Sequence, residues 1–193
     1  DSKTDVYNAL TEILNNCTFN TINATRMPIF DFEYVFLKIR SKSVGETAEI
    51  SVLCPDDDET RVTVSINLDE VDVQVTDEHV NTIQVTDNIN MVLRWPTIKD
   101  VSDSETGDLV TDTMSLVNRC IVEITEGDTI HRRSDFSDKE LGEFIDNLPT
   151  DTFEGVGKFF ETMPKLLHVV NVENPKTKVK SEVTIEGIDN FFS

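Results

Sequence analysis

The stretch Cys54-Pro-Asp-Asp-Asp-Glu59 sets a thiol and four carboxylates within six residues. A Cys-Pro step at the end of a strand is how a zinc knuckle begins, but a knuckle takes a second Cys three positions on, and Asp57 stands there. The later turn Asn174-Pro-Lys-Thr177, which has the same X-Pro form, offers no ligand. Calcium would ask for alternating oxygen ligands and a turn glycine. Three consecutive aspartates supply neither, and a solvated hairpin tip accounts for them better.

Nucleophilic catalysis needs a His beside a Ser or Cys, with a third group to orient it. His79, His131 and His168 fall on predicted strands or strand ends with no such motif around them. The sequence has no G-x-S-x-G, H-E-x-x-H, G-x-G-x-x-G or P-loop. With 37 acidic residues in 193, any one pair of carboxylates says little about acid–base chemistry. No catalytic residue, no cofactor-binding residue and no metal ligand is assigned, and the expectation is a protein that is not an enzyme. The side chains left to consider are those that could touch a partner. Arg40 and Lys42 stand out as cations in an acidic chain, Trp95 is the sole Trp, and Phe191 and Phe192 form an apolar pair at the end. Trp95 reads as a core anchor ahead of an interface residue, and Phe159, Phe160, Phe191 and Phe192 read as core ahead of a docking surface, the final pair being the more ambiguous for its place near the terminus.

The balance of 37 acidic against 17 basic residues gives a formal charge of −20. Such a field repels phosphate backbones and anionic lipid, so neither nucleic acid nor a membrane is an expected partner. It serves solubility or a basic protein partner, and composition does not choose between them. No apolar run approaches the roughly 18 residues of a membrane span, and no secretory leader is visible. Cys17, Cys54 and Cys120 are widely spaced, odd in number and lack a C-x-x-C, as reduced thiols of a cytoplasm-assembled protein would be. In that compartment the triplets at Asn16 and Asn23 carry no glycan.

Hydrophobic spacing supplies the elements. Val6, Leu10, Ile13 and Leu14 predict an amphipathic helix that fails near Cys17. After Pro28, the residues Phe32, Val35, Phe36 and Ile39 predict a second helix with a buried aromatic stripe, closed at Gly45. The period then drops to two through Ile50, Val52 and Cys54, and again through Val62, Val64, Ile66 and Leu68, which is a hairpin. Alternation continues at Val71, Val73 and Val75, at Ile83 and Val85, and in a strand stopped at Pro96. The segment Val101–Asp112 reads as an exposed acidic loop before a helix striped by Leu109, Met114, Leu116 and Val117. Two short strands follow around Gly127. Ser137 and Glu140 form a capping box for a helix carrying Leu141, Phe144 and Ile145. A last helix carries Phe153, Val156, Phe159, Phe160 and Met163, and two strands flank Asn174-Pro175.

The same plan occurs twice. Pro28, Phe32, Glu33 and Val35 correspond to Pro149, Phe153, Glu154 and Val156 at an offset of 121, the turn prolines Pro55 and Pro175 lie 120 apart, and Val64 and Ile66 match Val183 and Ile185 at 119. Duplicated units are more often packing devices than active sites. The expected fold class is α+β, with two helix–Pro–helix–β-hairpin units flanking a central antiparallel β segment. Its expected parts are 1–70 with the first helices and hairpin, 71–134 as a β-rich centre with the acidic loop and a helix, and 135–193 with the second helices and hairpin, joined as one compact structural unit.

The words "MPIFDFEYVFLKIRSKSVGE" and "FFETMPKLLHVVNVENPKTKVKSEVTIEGIDNFF" resemble the baseplate hub protein family of T4-like tailed phages, and the likeness extends over most of the chain. The resemblance implies a structural component of a contractile-tail baseplate hub, docking other baseplate and tail proteins, in multiple copies within a larger assembly. The alternative it leaves is a transient acidic assembly chaperone, absent from the mature particle. A hydrolytic tail enzyme is a weaker third reading. The implied location is the virion baseplate, after assembly in the host bacterial cytoplasm. The resemblance also implies a further segment before Asp1. It implies relatives with a Cys pair in the first hairpin as well, of which Cys54 alone is present, and it carries no catalytic residue and no cofactor.

Overall fold

The computed structural model describes residues 3–191. Helix α1 (Lys3–Cys17) is followed by a 3-10 turn at Ala24–Arg26 and helix α2 (Ile29–Val44). Strands β1 (Thr47–Leu53) and β2 (Arg61–Asn67) precede β3 (Asp72–Gln74), β4 (Thr82–Gln84) and β5 (Ile89–Leu93). Helices α3 (Ile98–Ser104) and α4 (Leu109–Cys120) lead into β6 (Ile121–Glu126) and β7 (Thr129–Arg132). Helices α5 (Asp138–Asp146) and α6 (Thr150–Thr162) precede β8 (Lys165–Glu173), β9 (Lys180–Glu186) and a 3-10 turn at Ile188–Phe191. The class is α+β, and the strands pair antiparallel in sheets β1-β2, β3-β8-β9 and β4-β5-β6-β7.

The chain forms two compact units, neither of them a continuous stretch. One comprises Asp1–Asn15, Phe19–Ile29 and Thr76–Met163; the other comprises Asn16–Thr18, Phe30–Val75 and Pro164–Ser193.

In the second of these, both hairpins share one core. Ile50 and Val52 of β1, Ile66 of β2, Val170 and Val172 of β8 and Ile185 of β9 turn their apolar alternation inward, joined by Leu37 of α2 and Phe191. The two turns are built alike. Cys54 N donates to Thr60 O and Asn174 N to Val179 O, while Asp58 (φ 51°) and Lys178 (φ 64°) take the same left-handed step. Leu53 faces Arg61 across seven turn residues, whereas Glu173 faces Lys180 across six. That single deletion is why the repeat slips from an offset of 120 at the prolines to 119 in the outgoing strands.

Helix α2 does not bury the expected aromatic stripe. Phe32 is fully enclosed, but Phe36 and Ile39 are only half-buried, and the inward row runs through Phe30, Glu33, Leu37 and Ser41. Two of those four are polar, so apolar spacing alone places the face wrongly. Their burial is tolerated because Ser41 Oγ donates to Asp69 Oδ1 at 2.8 Å and Glu33 accepts from Ile188 N at 3.3 Å.

In the other unit the four-stranded sheet is covered by helices whose inward residues include Val117, Leu141, Ile145, Val156 and Phe159, against Met91, Leu93 and Ile121. Ser137 caps α5 as its capping box predicts, with Glu140 N donating to Ser137 Oγ and Ser137 N to Glu140 Oε2. Helix α6 comes close to β4, since a Cβ on Gly155 would sit 2.9 Å from Ile83 Cγ2. Three expectations need correction in this unit. Val101–Ser104 is the second half of α3, not loop; Thr97 and Asp100 close a capping box on it, a T-x-x-D signal present in the sequence. Leu109, expected in the stripe of α4, is 81% exposed in its first turn, where the buried row reaches only Val117 and Cys120. In α1, Val6 and Ile13 are exposed while Leu14 is fully buried.

Candidate functional site

The acidic turn after β1 is committed to structure. Asp57 Oδ1 accepts from Glu59 N and Thr60 N at 3.1 and 2.9 Å, and its Oδ2 accepts from Thr60 Oγ1 at 2.6 Å. The Thr60 hydroxyl and amide hold that carboxyl well below the usual carboxylate range. Asp56 accepts from Asn174 Nδ2 at 3.1 Å to each oxygen and from Thr177 Oγ1 at 2.5 Å. Cys54 is fully buried, and burial pushes its thiol up, away from the thiolate a ligand or nucleophile needs. Among the described residues no three His, Cys, Asp or Glu side chains converge as metal ligands would.

Each histidine has its own surroundings. His168 faces Ile185 across β8 and β9, and the His131 ring lies 5.9 Å from that of Phe136, tilted by 56°. His79 is held on both sides: Trp95 Nε1 donates to its Nε2 at 2.9 Å, which leaves the proton on Nδ1 to be given to Thr162 Oγ1 at 3.1 Å. Its ring lies 5.0 Å from that of Phe159, and burial lowers its pKa below the ordinary 6.5. This neutral imidazole positions Trp95, and because its Nδ1 donates to the Thr162 hydroxyl, which itself donates to Lys158 O at 2.7 Å, it does not act as a base on that hydroxyl.

The contact candidates separate on exposure. Phe191 is fully buried in the hairpin core, as its core reading expects and not as a contact candidate would be, because a 3-10 turn folds it inward. Phe192 lies outside the described residues. Arg40 is half-buried on α2. Lys42 is exposed, but its charge is answered within its own unit by Asp69 at 2.6 Å and Glu46 at 2.8 Å, bonds that push its pKa up to about 12. Trp95 remains 39% exposed.

Trp95 lines a pocket of about 530 Å³ with Arg26, Pro28, Arg94, Lys99 and Asp100. Three backbone features hold it together. Pro28 and Thr97 form an antiparallel bridge, Ile29 N donates to Pro96 O at 3.2 Å, and Ile98 N donates to Met27 O at 3.3 Å. They bring Arg26 to Trp95 and Lys99 across some seventy residues of sequence, so reading along the chain misses Arg26 and Lys99 as members of one site. Arg94 is locked by a two-pronged bond to Asp100 at 2.6 and 3.0 Å and by donation to the carbonyls of Trp95 and Arg119. A second groove, of about 770 Å³, runs beside α4 and α5 past Val110, Met114 and Asn118.

No helix among the described residues is long and apolar enough to cross a membrane. No curated protein and no solved structure matches the chain significantly. A family model does, over residues 1–193, and its description is T4 bacteriophage base plate protein. Matching the whole length, it shows that this chain belongs to the T4 bacteriophage base plate protein family, as a structural protein of the phage tail.

Proposed function

We propose that the chain is a component of the hub of a contractile-tail baseplate, docking neighbouring tail proteins and doing no chemistry of its own. One observation carries this reading: the side chains best suited to chemistry are spent on holding shape, with Asp56 of the first hairpin turn bonded to Asn174 and Thr177 of the second. A duplicated hairpin braced tip to tip is a rigid mount for surfaces, and rigid mounts suit assembly contacts. Assembly in the host cytoplasm accords with three free cysteines.

The formal charge of −20 favours a second reading, a transient acidic chaperone that keeps a basic hub or tail component soluble until release. Quantitative mass spectrometry of purified particles separates the two. Recovery of the chain at a fixed stoichiometry with other baseplate proteins is the expected result, and its absence from mature particles would transfer the assignment to the chaperone. Cell-wall hydrolysis by the purified chain would overturn both.

A further inference from the structure

We propose that the Trp95 pocket receives an acidic side chain from a neighbouring tail protein, as a local excess of positive charge in a chain of formal charge −20; the inference rests on the docking reading above. The case begins with sign. Acidic residues outnumber basic ones by 37 to 17 in the chain, yet the pocket is lined by three cations, Arg26, Arg94 and Lys99, and by a single acid, Asp100.

Asp100 is not available to neutralise the other two cations, because both of its oxygens are taken by Arg94 and by Thr97. Lys99 meets only Asp103, an exposed pair one helical turn away that contributes little in water. The guanidinium of Arg26 is engaged by no acid among the described residues. Around one concavity, beside an exposed indole, Arg26 therefore has no acid among the described residues and Lys99 has only the exposed Asp103, a pair that an incoming carboxylate can replace at little cost.

The indole is fixed as well as exposed. Its N–H is given to His79, so its orientation is set while part of its surface stays open to solvent. A preset aromatic wall with cations on its rim loses little side-chain entropy when filled, which is the composition of a strong interface point. Pro28 forms a second rigid apolar wall, held by the bridge to Thr97.

Carboxylates on a protein fit this pocket better than the phosphates of a nucleic acid. A polyphosphate backbone would extend beyond two cations into a field of net charge −20, whereas one acidic side chain engages the pocket and nothing more. The partner implied is largely basic where it faces this protein, with an acidic residue set among its cations. Such a charge pattern fixes register, because sliding the partner places like charges together.

The test reverses the pocket charges in the phage. Arg26→Glu with Lys99→Glu changes two exposed residues, and unaltered circular dichroism and melting of the purified variant show that it still folds. The expected result is a fall of about ten-fold or more in plating efficiency, restored by second-site changes of Asp or Glu to Lys or Arg in another tail protein. Normal plating of the double variant overturns the proposal, as do suppressors that alter no acidic residue; suppressors in this same chain would make the occupant a second copy and overturn the inference of a different partner. In vitro, emission from Trp95, the sole Trp, should shift saturably with a Glu-containing peptide and not with its Gln counterpart. A response to duplex DNA in place of the peptide would assign the pocket to nucleic acid. Particle mass spectrometry reads the docking role independently, so the two failures are distinguishable.

Discussion

Asp56 and Asn174 are 118 residues apart in sequence, yet the Asn174 amide donates to both oxygens of the Asp56 carboxylate at 3.1 Å. Asn174 is fully buried, and its own Oδ1 accepts from Lys176 N at 2.9 Å, so one side chain shapes its turn and ties it to the other. The asymmetry between the two turns follows from this contact. The first turn supplies the charge and the second the donors, although both descend from the same X-Pro plan.

Replacing Asn174 with Ala removes that link and leaves backbone donors of the turn unpaired. Loss of a bond to a charged group together with such groups suggests a destabilisation of about 2–3 kcal/mol. Asp56→Asn, which keeps the shape, should lose about 1 kcal/mol. Urea unfolding midpoints of the two variants decide the order.

Glu33 gives stability a pH dependence of unusual sign. Burial raises its carboxyl from 4.5 to about 7, with Asp189 and Glu186 adding repulsion against the lowering effect of the Ile188 amide. Lys165 pairs with Glu186 at 3.1 Å and blunts that repulsion. A raised acid pKa means the folded state holds the proton more tightly than the unfolded one. Stability is therefore intact below about pH 4.5 and declines as pH rises to about 7. Glu33→Gln keeps an acceptor for Ile188 N and should flatten this decline, gaining at most about 3 kcal/mol above pH 7. Parallel urea titrations at pH 5 and pH 8 measure the difference.

His79 works in the opposite direction. Its pKa is lowered by burial, so stability falls as pH drops below 6.5, where a protonated Nε2 can no longer accept from Trp95. The emission of Trp95 should shift between pH 7 and pH 5 in the native protein and stay constant in His79→Ala. That variant should also lose about 1 kcal/mol at pH 7.

Two glycines of α6 should respond with opposite signs to the same change. Gly155→Ala pushes a methyl to within 2.9 Å of Ile83 Cγ2, a methyl attached directly to the branched Cβ and so with little room to move, and should destabilise by about 1–3 kcal/mol. Gly157 has open space around its Cβ position, so Gly157→Ala should stabilise by about 0.5–1 kcal/mol through helix propensity. Thermal melts of the pair provide the comparison, and equal shifts would contradict the close approach of α6 to β4.

Phe32→Ala should cost about 3–5 kcal/mol because Phe32 is fully enclosed. Phe36→Ala should cost distinctly less, since Phe36 is half-buried. The ratio of the two losses measures how far the inward face of α2 is turned from the one its apolar spacing suggests.

Much of this architecture is set by local residue order. Alternation of apolar and polar residues in β1, β2, β9 and the outer half of β8 marks strands, and the X-Pro turns and the Ser137 capping box mark ends through backbone chemistry within a few residues. The repeat, and even its one-residue slip, is visible for the same reason. What depends on residues far apart was decided only in three dimensions. Glu33 and Ser41 could be inside because Ile188 and Asp69 arrive to satisfy them, and Phe191 is buried because its turn folds back. Arg26 joins Trp95 and Lys99 because one bridge at Pro28 and Thr97 joins two segments that share no sequence signal. Periodicity reports the average environment of an element, whereas a polar partner or a pocket wall is a single coincidence of distant atoms, and no spacing along the chain encodes it.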